Sequence, residues 1–229
     1  MTIGQVGSGS TNARTYGFIL PPGWFRLDLR EPLAPQIQRL ADLILDQRGA
    51  VPERPRLRVA LINQLTRAGE AAKDNEVLDL VLPVQLVEGT ALPVTWAFMP
   101  LTVPDGADPI EVLAGIASRN ETAALIEVRD LVALRIESRT PKSPEQLDAV
   151  IDAVASDLGE AVQPSDDGTA AHLWTQRVQY FLGHPQRPDS WIVVAASITD
   201  TGGEDAEELT PALVELFDEV VKTVRFPDA

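Results

Sequence analysis

Two histidines supply all the imidazole in this chain, so they are the first residues to weigh for acid–base chemistry. His172 follows Asp166 and Asp167, and a neighbouring carboxylate could orient its ring as a general base. A catalytic triad would also need a serine on a tight Gly-x-Ser-x-Gly turn, and the predicted fold contains none. His184 stands before Pro185 in a predicted hairpin loop. We therefore predict that both histidines are structural, and we assign no catalytic residue.

Two glycine-bearing segments invite comparison with ion-binding loops. Gly202-Gly203-Glu204-Asp205, with Glu207 and Glu208, is acidic, but calcium loops place oxygen ligands at alternate positions and end in Glu. These acids instead fit the start of a helix, where carboxylates favour the positive end of the dipole. The Gly4–Gly9 segment, which includes Gly7-Ser-Gly9, lacks the Gly-Lys-Ser/Thr of a phosphate loop and precedes no helix. We predict no metal site and no cofactor.

Composition narrows the classes of protein further. The 229 residues include no cysteine, which excludes disulfides, thiolate metal sites and cysteine nucleophiles. A formal net charge of −15 opposes binding to DNA or to anionic lipid. Arg54, Arg56, Arg58 and Arg67 form the longest basic stretch, but Leu and Ala interrupt it at helical spacing. We interpret it as an exposed helix face and predict that nucleic acid is not a partner.

The first residues indicate the compartment and the domain organisation. Residues 1–12 contain no basic segment followed by an apolar run, so no secretory signal is predicted. No uncharged apolar run approaches the roughly 18 residues of a membrane span. We therefore expect a cytoplasmic protein without a membrane span. Gly, Ser and Thr dominate the start of the chain, so we predict a flexible tail over residues 1–14 and a single α+β domain over 15–229.

Helices are predicted where apolar residues recur at three- and four-residue spacing. The predicted helices are Leu33 to Arg48, Leu57 to Ala72, a short helix opened by Asp108-Pro109, Ser143 to Leu158, and Leu209 to Val221 after a loop over Asp200 to Glu208. Ser143-Pro-Glu-Gln146 combines a capping box with a proline in the first turn, a strong helix start.

Strand-like segments arrive in consecutive pairs. The predicted hairpins join Val77–Val87 to Leu92–Met99, Ala123–Val128 to Leu131–Glu137 through Arg129-Asp130, and His172–Leu182 to Trp191–Ile198 through a loop over Gly183–Asp189. Pro83 and Pro93 cannot donate to a ladder, so we place them at an edge or a bulge. Paired strands predict an α+β fold: a mostly antiparallel sheet built from hairpins and covered by helices.

Four tryptophans lie in or beside these strands, at positions 24, 96, 174 and 191. Aromatic side chains of this size serve either as core packing or as anchors of a binding surface. Buried sheet packing is the commoner role, and we predict it here. A tryptophan at an edge or a helix–sheet gap would mark a binding surface.

The order of these segments resembles a group of uncharacterised actinobacterial proteins associated with type VII secretion loci. The resemblance rests on Pro-Pro-Gly-Trp-Phe-Arg-Leu-Asp-Leu at 21–29, the Arg-rich helix, the strand over 78–87, Leu-Pro-Val-Thr-Trp-Ala at 92–97, and the closing segments 191–199 and 216–226. The closing strand and helix are also similar to the end of PsbP-like α/β/α sandwich domains. The resemblance covers most of Trp24 to Phe226 but consists of core residues, so it carries over no functional residue.

Three functions remain open from the sequence. The resemblance, the acidic charge and the absence of catalytic motifs favour a non-catalytic interaction module with a protein partner, an accessory of type VII secretion. Such a module predicts exposed apolar residues on a sheet edge or helix face. The alternatives are a binder of a small apolar ligand in a helix–sheet crevice and a hydrolase whose acid–base pair is not recognisable from sequence. The partner and the oligomeric state are not predicted.

Overall fold

The structure is a computed structural model that describes residues 16–47, 52–87, 90–103, 107–141, 174–200 and 204–227. These residues form four helices: α1 (Leu33–Gln47), α2 (Arg54–Asp74), α3 (Pro109–Ala117) and α4 (Glu204–Val221). They also form nine strands: β1 (Trp24–Asp28), β2 (Asp79–Pro83), β3 (Leu86–Val87), β4 (Thr90–Ala91), β5 (Val94–Pro100), β6 (Ala124–Val128), β7 (Leu131–Pro141), β8 (Trp174–His184) and β9 (Arg187–Asp200). The predicted tail over 1–14, the helix from Ser143 to Leu158, and His172 lie outside the described residues.

Seven strands form one sheet in the order β1-β2-β5-β9-β8-β7-β6, and every neighbouring pair is antiparallel. The three predicted hairpins are confirmed as the pairs β2–β5, β6–β7 and β8–β9. The small ladder of β3 and β4 lies within the connection between β2 and β5. The α+β fold with a sheet covered by helices is therefore confirmed.

Two predicted loops are shorter in the structure than the sequence suggested. The loop predicted over Gly183–Asp189 is mostly strand, because β8 runs to His184 and β9 starts at Arg187, with a register shift between Gly183 and His184. The last helix begins at Glu204, inside the predicted loop over Asp200–Glu208.

Pro83 and Pro93 do not mark a sheet edge. β2 lies between β1 and β5, and β5 lies between β2 and β9. Pro83 is the last residue of β2, and Pro93 immediately precedes β5, where its carbonyl accepts the Thr199 N–H at 2.8 Å. Both prolines are tolerated because they stand at strand ends, where a missing N–H costs the ladder little.

Helix α4 covers one face of the sheet. Phe217 of α4 is buried against Trp96, with ring centroids 5.7 Å apart, and against Tyr180 at 5.8 Å. Val94 and Phe98 lie on the same face as Trp96, since alternate residues of a strand point the same way. This face carries the larger apolar core.

The other helices pack on the opposite face. α1 and α2 bury Leu27 and Ile37 at the β1 end of the sheet. α3 packs Leu113 against Leu134 and Phe181, which alternate with residues of the α4 face. Burying both faces in this way explains why the part of β9 from Ile192 to Ala196 is continuously apolar.

The end of α2 contains a residue in an unfavourable backbone conformation. Glu76 has a φ of 58°, and its N–H bonds to the Lys73 carbonyl while the Val77 N–H bonds to the Ala72 carbonyl, both at 3.0 Å. This pattern is a Schellman motif, whose left-handed position favours glycine. A side chain in that region carries steric strain.

We predict that Glu76→Gly stabilises the protein by about 1 kcal/mol, because glycine relieves the left-handed strain. Urea unfolding measures the change. Glu76→Ala is the matched control, since it removes the same side chain and its hydrogen bond from Thr102 while keeping the strained φ. Equal stabilities of the two variants would contradict this account.

Gly183 makes room for a tryptophan on the neighbouring strand. Gly183 is paired with Trp191 across β8 and β9, and a Cβ built on it would lie 2.9 Å from the indole ring. The ring therefore covers the bare backbone, and its Nε1 donates to the Pro188 carbonyl at 2.8 Å. This contact explains why a glycine stands inside a strand.

Replacing Gly183 by Ala should cost about 2 kcal/mol through overpacking against Trp191. Gly115 in α3 is the control, because a Cβ there would meet no atom within 4 Å. Gly115→Ala should stabilise the helix by up to about 1 kcal/mol. Thermal or urea unfolding measures the stability of both variants. An unchanged stability of Gly183→Ala would contradict the predicted clash with Trp191.

Candidate functional site

A crevice of about 780 Å³ lies at one end of the sheet, where two hairpin turns come together. The described residues that line it are 16–17, the β6–β7 turn over 129–131, Pro185 of the β8–β9 turn, and residues 224–227. We call this crevice the end cleft. It lies within the range of volumes that small-molecule sites occupy.

A backbone bridge holds one wall of the end cleft. The Gly17 N–H bonds to the Arg225 carbonyl at 2.8 Å, and the Arg225 N–H bonds back to the Gly17 carbonyl at 2.9 Å. The Arg225 side chain runs beside Gly17, with Nε 3.7 Å from the position that a Cβ of Gly17 would take. The bridge therefore fixes the backbone position from which the Arg225 side chain extends.

The β6–β7 turn supplies a second guanidinium. Arg129 and Asp130 are the two central residues of this hairpin, and Arg129 has a φ of 56°. Two-residue hairpin loops of this kind favour Asn or Gly where φ is positive. An arginine at that position strains the backbone, and such strain is concentrated at functional sites.

A buried ionic network lies beside the end cleft and shares Tyr16 with it. The Asp79 carboxylate is fully buried. It accepts Arg26 Nε at 2.7 Å and Arg26 Nη2 at 2.5 Å, and it also accepts the Tyr16 hydroxyl in a short hydrogen bond. Arg30 Nη2 lies 3.6 Å from the same carboxylate and bonds to Asp28 at 2.9 Å. We call these residues the Asp79 network.

Burial and neighbouring charges shift the pKa values of two side chains in the Asp79 network. Burial, with the neighbouring Asp79 carboxylate, raises the pKa of the Tyr16 hydroxyl well above its ordinary value. Burial alone would raise the pKa of Asp28, but hydrogen bonds from Arg30 outweigh it and hold that pKa below its ordinary value. Tyr16 therefore stays neutral and donates its proton to a carboxylate. Both oxygens of the Asp79 carboxylate thus accept hydrogen bonds from side chains of the protein itself.

A second ionic cluster fastens α4 to the sheet. The Tyr180 hydroxyl donates to Asp218 of α4 at 2.7 Å, and Arg135 contacts both, through Nε to Tyr180 at 3.1 Å and Nη2 to Asp218 at 3.3 Å. Arg135 also bonds to Glu137 at 2.8 Å, whose other oxygen accepts from Gln176 at 2.6 Å. We call these five residues the α4 clamp.

The α4 clamp borders a crevice of about 520 Å³. Burial, then the contact with Asp218, raises the pKa of Tyr180. Burial would lower the pKa of Arg135, but its hydrogen bond to Glu137 and its attraction to Asp218 outweigh this and raise it. Because acids and donors are matched, the clamp is also a structural device.

His184 ends β8 as a buried ring. Its Nδ1 accepts the Gln186 N–H at 3.1 Å, and its ring lies 4.8 Å from that of Phe226. It also borders a crevice of about 490 Å³ beside Trp191 and Ile110. His172, Asp166 and Asp167 lie outside the described residues, so their predicted proximity stays a prediction. Within the ranges that the structure describes, no cluster of three or more His, Asp or Glu could hold a metal ion.

The four tryptophans have different environments. Trp96 is fully buried and stacks on Trp24, with centroids 3.8 Å apart. Its Nε1 is buried without a hydrogen-bond acceptor among the described residues. Trp191 covers Gly183, and Trp174 stacks against the Arg139 guanidinium at 5.0 Å. Core packing, as predicted, is confirmed for Trp96.

The basic stretch of α2 behaves as a helix face. Arg54 pairs with Asp46 of α1, and Arg58 Nε bonds to Asp42 of α1 at 2.7 Å. The hydrogen bond from Arg58 lowers the pKa of Asp42. These arginines connect two helices, and the interpretation as a helix face rather than a phosphate-binding stripe agrees with these contacts. The acidic segment from Glu204 onward forms the first turns of α4, while Gly202 and Gly203 lie outside the described residues.

The edge strand β6 is the second surface of interest. β6 pairs only with β7 within the described sheet. Leu125 on β6 is 76% exposed, and Val132 on β7 is 66% exposed. Val132 is paired with Glu127, two residues along β6 from Leu125, so all three side chains lie on one face. We call these residues the β6 patch.

Comparisons with known proteins assign no function to the end cleft or to the β6 patch. No protein-family model, no curated protein and no solved structure matches the chain. None of the helices that the structure describes is long and apolar enough to cross a membrane.

Sequence reasoning located the turn that carries Arg129 but missed the end cleft. A usable signal was present, because Arg129 stands at the first position of a two-residue hairpin loop, where a positive φ favours glycine. Nothing local links that turn to Tyr16 or Arg225, which are distant in sequence. The Asp79 network was missed for the same reason.

Both tyrosines of the chain lie in these clusters, which gives a direct spectroscopic prediction. Folded pKa values above the ordinary value mean that the unfolded chain loses its tyrosine protons first as the pH rises. Their contribution to stability is therefore complete below about pH 10 and is lost as the pH rises above it. Tyrosinate absorbance should show no tyrosine ionising near pH 10 in the folded protein.

The same titration in urea is the control, and there both tyrosines should ionise near pH 10. A folded protein in which either tyrosine titrates normally would contradict the described networks. Tyr180→Phe should leave only the contribution of Tyr16, which separates the two.

Proposed function

We propose that this protein is a non-catalytic interaction module that binds a protein partner at the β6 edge. The observation that carries the proposal is the β6 patch, in which an edge strand and its neighbour expose Leu125 and Val132 on one face. Edge strands are the usual site at which an extended segment adds to a sheet, with main-chain hydrogen bonds giving affinity and side chains giving specificity.

The patch specifies the chemistry of the partner. Leu125 and Val132 favour an apolar side chain in the added segment, and Glu127 between them favours a Lys or Arg beside it. The net charge of −15 also attracts a basic partner. The partner we propose is therefore an extended segment that alternates apolar and basic residues.

The ionic clusters support a non-catalytic role. The polar side chains that are buried near the cleft and under α4 bond to one another in the Asp79 network and the α4 clamp. A general base needs a lone pair directed at a substrate, and these groups use theirs internally. The ion pairs of Arg26 and Arg135 hold the fold together.

The cellular setting belongs to the proposal as well. The sequence resemblance supports a cytoplasmic accessory of type VII secretion with a PsbP-like sandwich. The antiparallel sheet with α4 packed on one face and three helices on the other is compatible with that resemblance.

The first experiment is a quantitative pull-down of the tagged protein from lysate of its native host at moderate salt. We expect one dominant stoichiometric partner, which Leu125→Lys should release and Glu127→Lys should weaken. Val59→Lys is the matched control, since Val59 is 59% exposed on α2, away from the sheet edge. All three lysine variants should fold as well as the parent, which circular dichroism verifies.

Hydrogen exchange then locates the contact. Binding by strand addition should protect amides of residues 124–128 and leave those of α2 unchanged. A bait that captures nothing, or a partner that Leu125→Lys retains, would refute the proposal.

A further inference from the structure

We propose that the end cleft binds a small organic anion, a carboxylate or phosphate joined to an apolar body. This inference concerns a different ligand class from the protein partner of the β6 patch. It rests on the cations, the backbone strain and the apolar walls of one crevice.

The cations are the first step. Arg26, Arg30, Arg54, Arg58 and Arg135 all form ion pairs with carboxylates. Within the described ranges, Arg129 and Arg225 form no such pair, although both line the end cleft. Among the lining residues that the structure describes, Asp130 is the single acid, so this part of the lining carries one more positive than negative side chain in a protein of net charge −15. Guanidinium groups recognise carboxylates and phosphates through paired N–H donors.

The conformation of Arg129 is the second step. Its φ of 56° places an arginine where Asn or Gly would be less strained. An arginine at position 129 therefore does not stabilise the turn conformation. Strain of this kind persists where the side chain has a use, and the use available in this cleft is to hold an anion.

The walls are the third step. Pro185 and Pro227 are exposed and Leu131 is half-buried, and these three residues give the cleft its accessible apolar surface. Tyr16, Val224 and Phe226 are buried beneath them. The Tyr16 hydroxyl is engaged by Asp79 and its ring stacks on Phe98, so this residue supports the cleft from below and offers a ligand no hydrogen bond. The backbone bridge between Gly17 and Arg225 fixes the wall in advance of binding. A cleft of about 780 Å³ with apolar walls and two guanidiniums fits an amphiphilic anion better than a bare inorganic one.

The test uses the full chain and three probes of equal length: decanoate, decyl phosphate and decanol. Isothermal titration at moderate salt should show that at least one of the two anions binds saturably, one per chain. Decanol should bind at least about tenfold more weakly, since it lacks the charge that the arginines recognise. The stronger of the two anions identifies the headgroup as carboxylate or phosphate.

Variants then assign the site. Arg129→Asn should weaken binding of the preferred anion by about tenfold or more while leaving stability in urea equal or higher. Arg225→Gln should weaken it to a similar degree. Arg119→Asn is the matched control, because Arg119 is exposed after α3 and does not line the cleft, and its binding should be unchanged.

Any of three outcomes overturns the inference: neither anion binding saturably, decanol binding as tightly as the anions, or Arg129→Asn binding like the parent. Because Arg129→Asn is expected to fold at least as well as the parent, lost binding cannot be ascribed to unfolding. The β6 patch and the end cleft can also be tested independently of each other. Leu125→Lys should keep anion binding, and Arg129→Asn should keep the protein partner.

Discussion

The buried carboxylate of Asp79 is the constraint on which the rest of this structure depends. A charge removed from water is tolerated only when partners replace its hydration, and breaking such a pair leaves an uncompensated ion in the core. Asp79 meets this requirement by drawing Arg26 from β1, Tyr16 from the segment before it, and Arg30 from the approach to α1. One side chain of β2 thus fixes the edge strand, the N-proximal segment and the first helix relative to the sheet.

The same logic separates the structural polar groups from the available ones. The α4 clamp satisfies Asp218, Tyr180 and Arg135 together, much as the Asp79 network satisfies its members. What remains for recognition lies outside these networks, at the turn end of the sheet and along the β6 edge. The two surfaces are chemically unlike, since one is cationic and concave and the other is apolar, acidic and flat. The two proposals therefore assign a small ligand and a protein segment to different surfaces.

Local pattern was sufficient for much of the architecture and insufficient for the sites. The alternation in Val94–Phe98 and the helical spacing in Leu33–Ile44 depend on neighbours in sequence, so the strands, helices and hairpins followed from them. Gly183 and Pro188 signalled a loop because both residues usually interrupt strands. Gly183 stands in a paired strand because the Trp191 ring fills the space above it, a contact between strands that composition does not reveal. Pro188 lies in β9 where the register shift leaves residues 188–190 without a partner in β8, so its missing N–H costs the ladder nothing. The Asp79 network joins residues 53 and 63 positions apart, and no local signal specifies such pairings.

The bridge between Gly17 and Arg225 also has a consequence for the order of folding. Close beside it, the Ile19 N–H bonds to the Thr223 hydroxyl across 204 positions of sequence. Contacts of such long range form late, because closing a large loop costs chain entropy before the contact repays it. On a ribosome, the sheet hairpins can pair before residues 224–227 have been synthesised, but the wall that carries Arg225 cannot. The end cleft therefore forms after the hairpins, and its occupancy would distinguish chains synthesised through residue 227 from shorter ones.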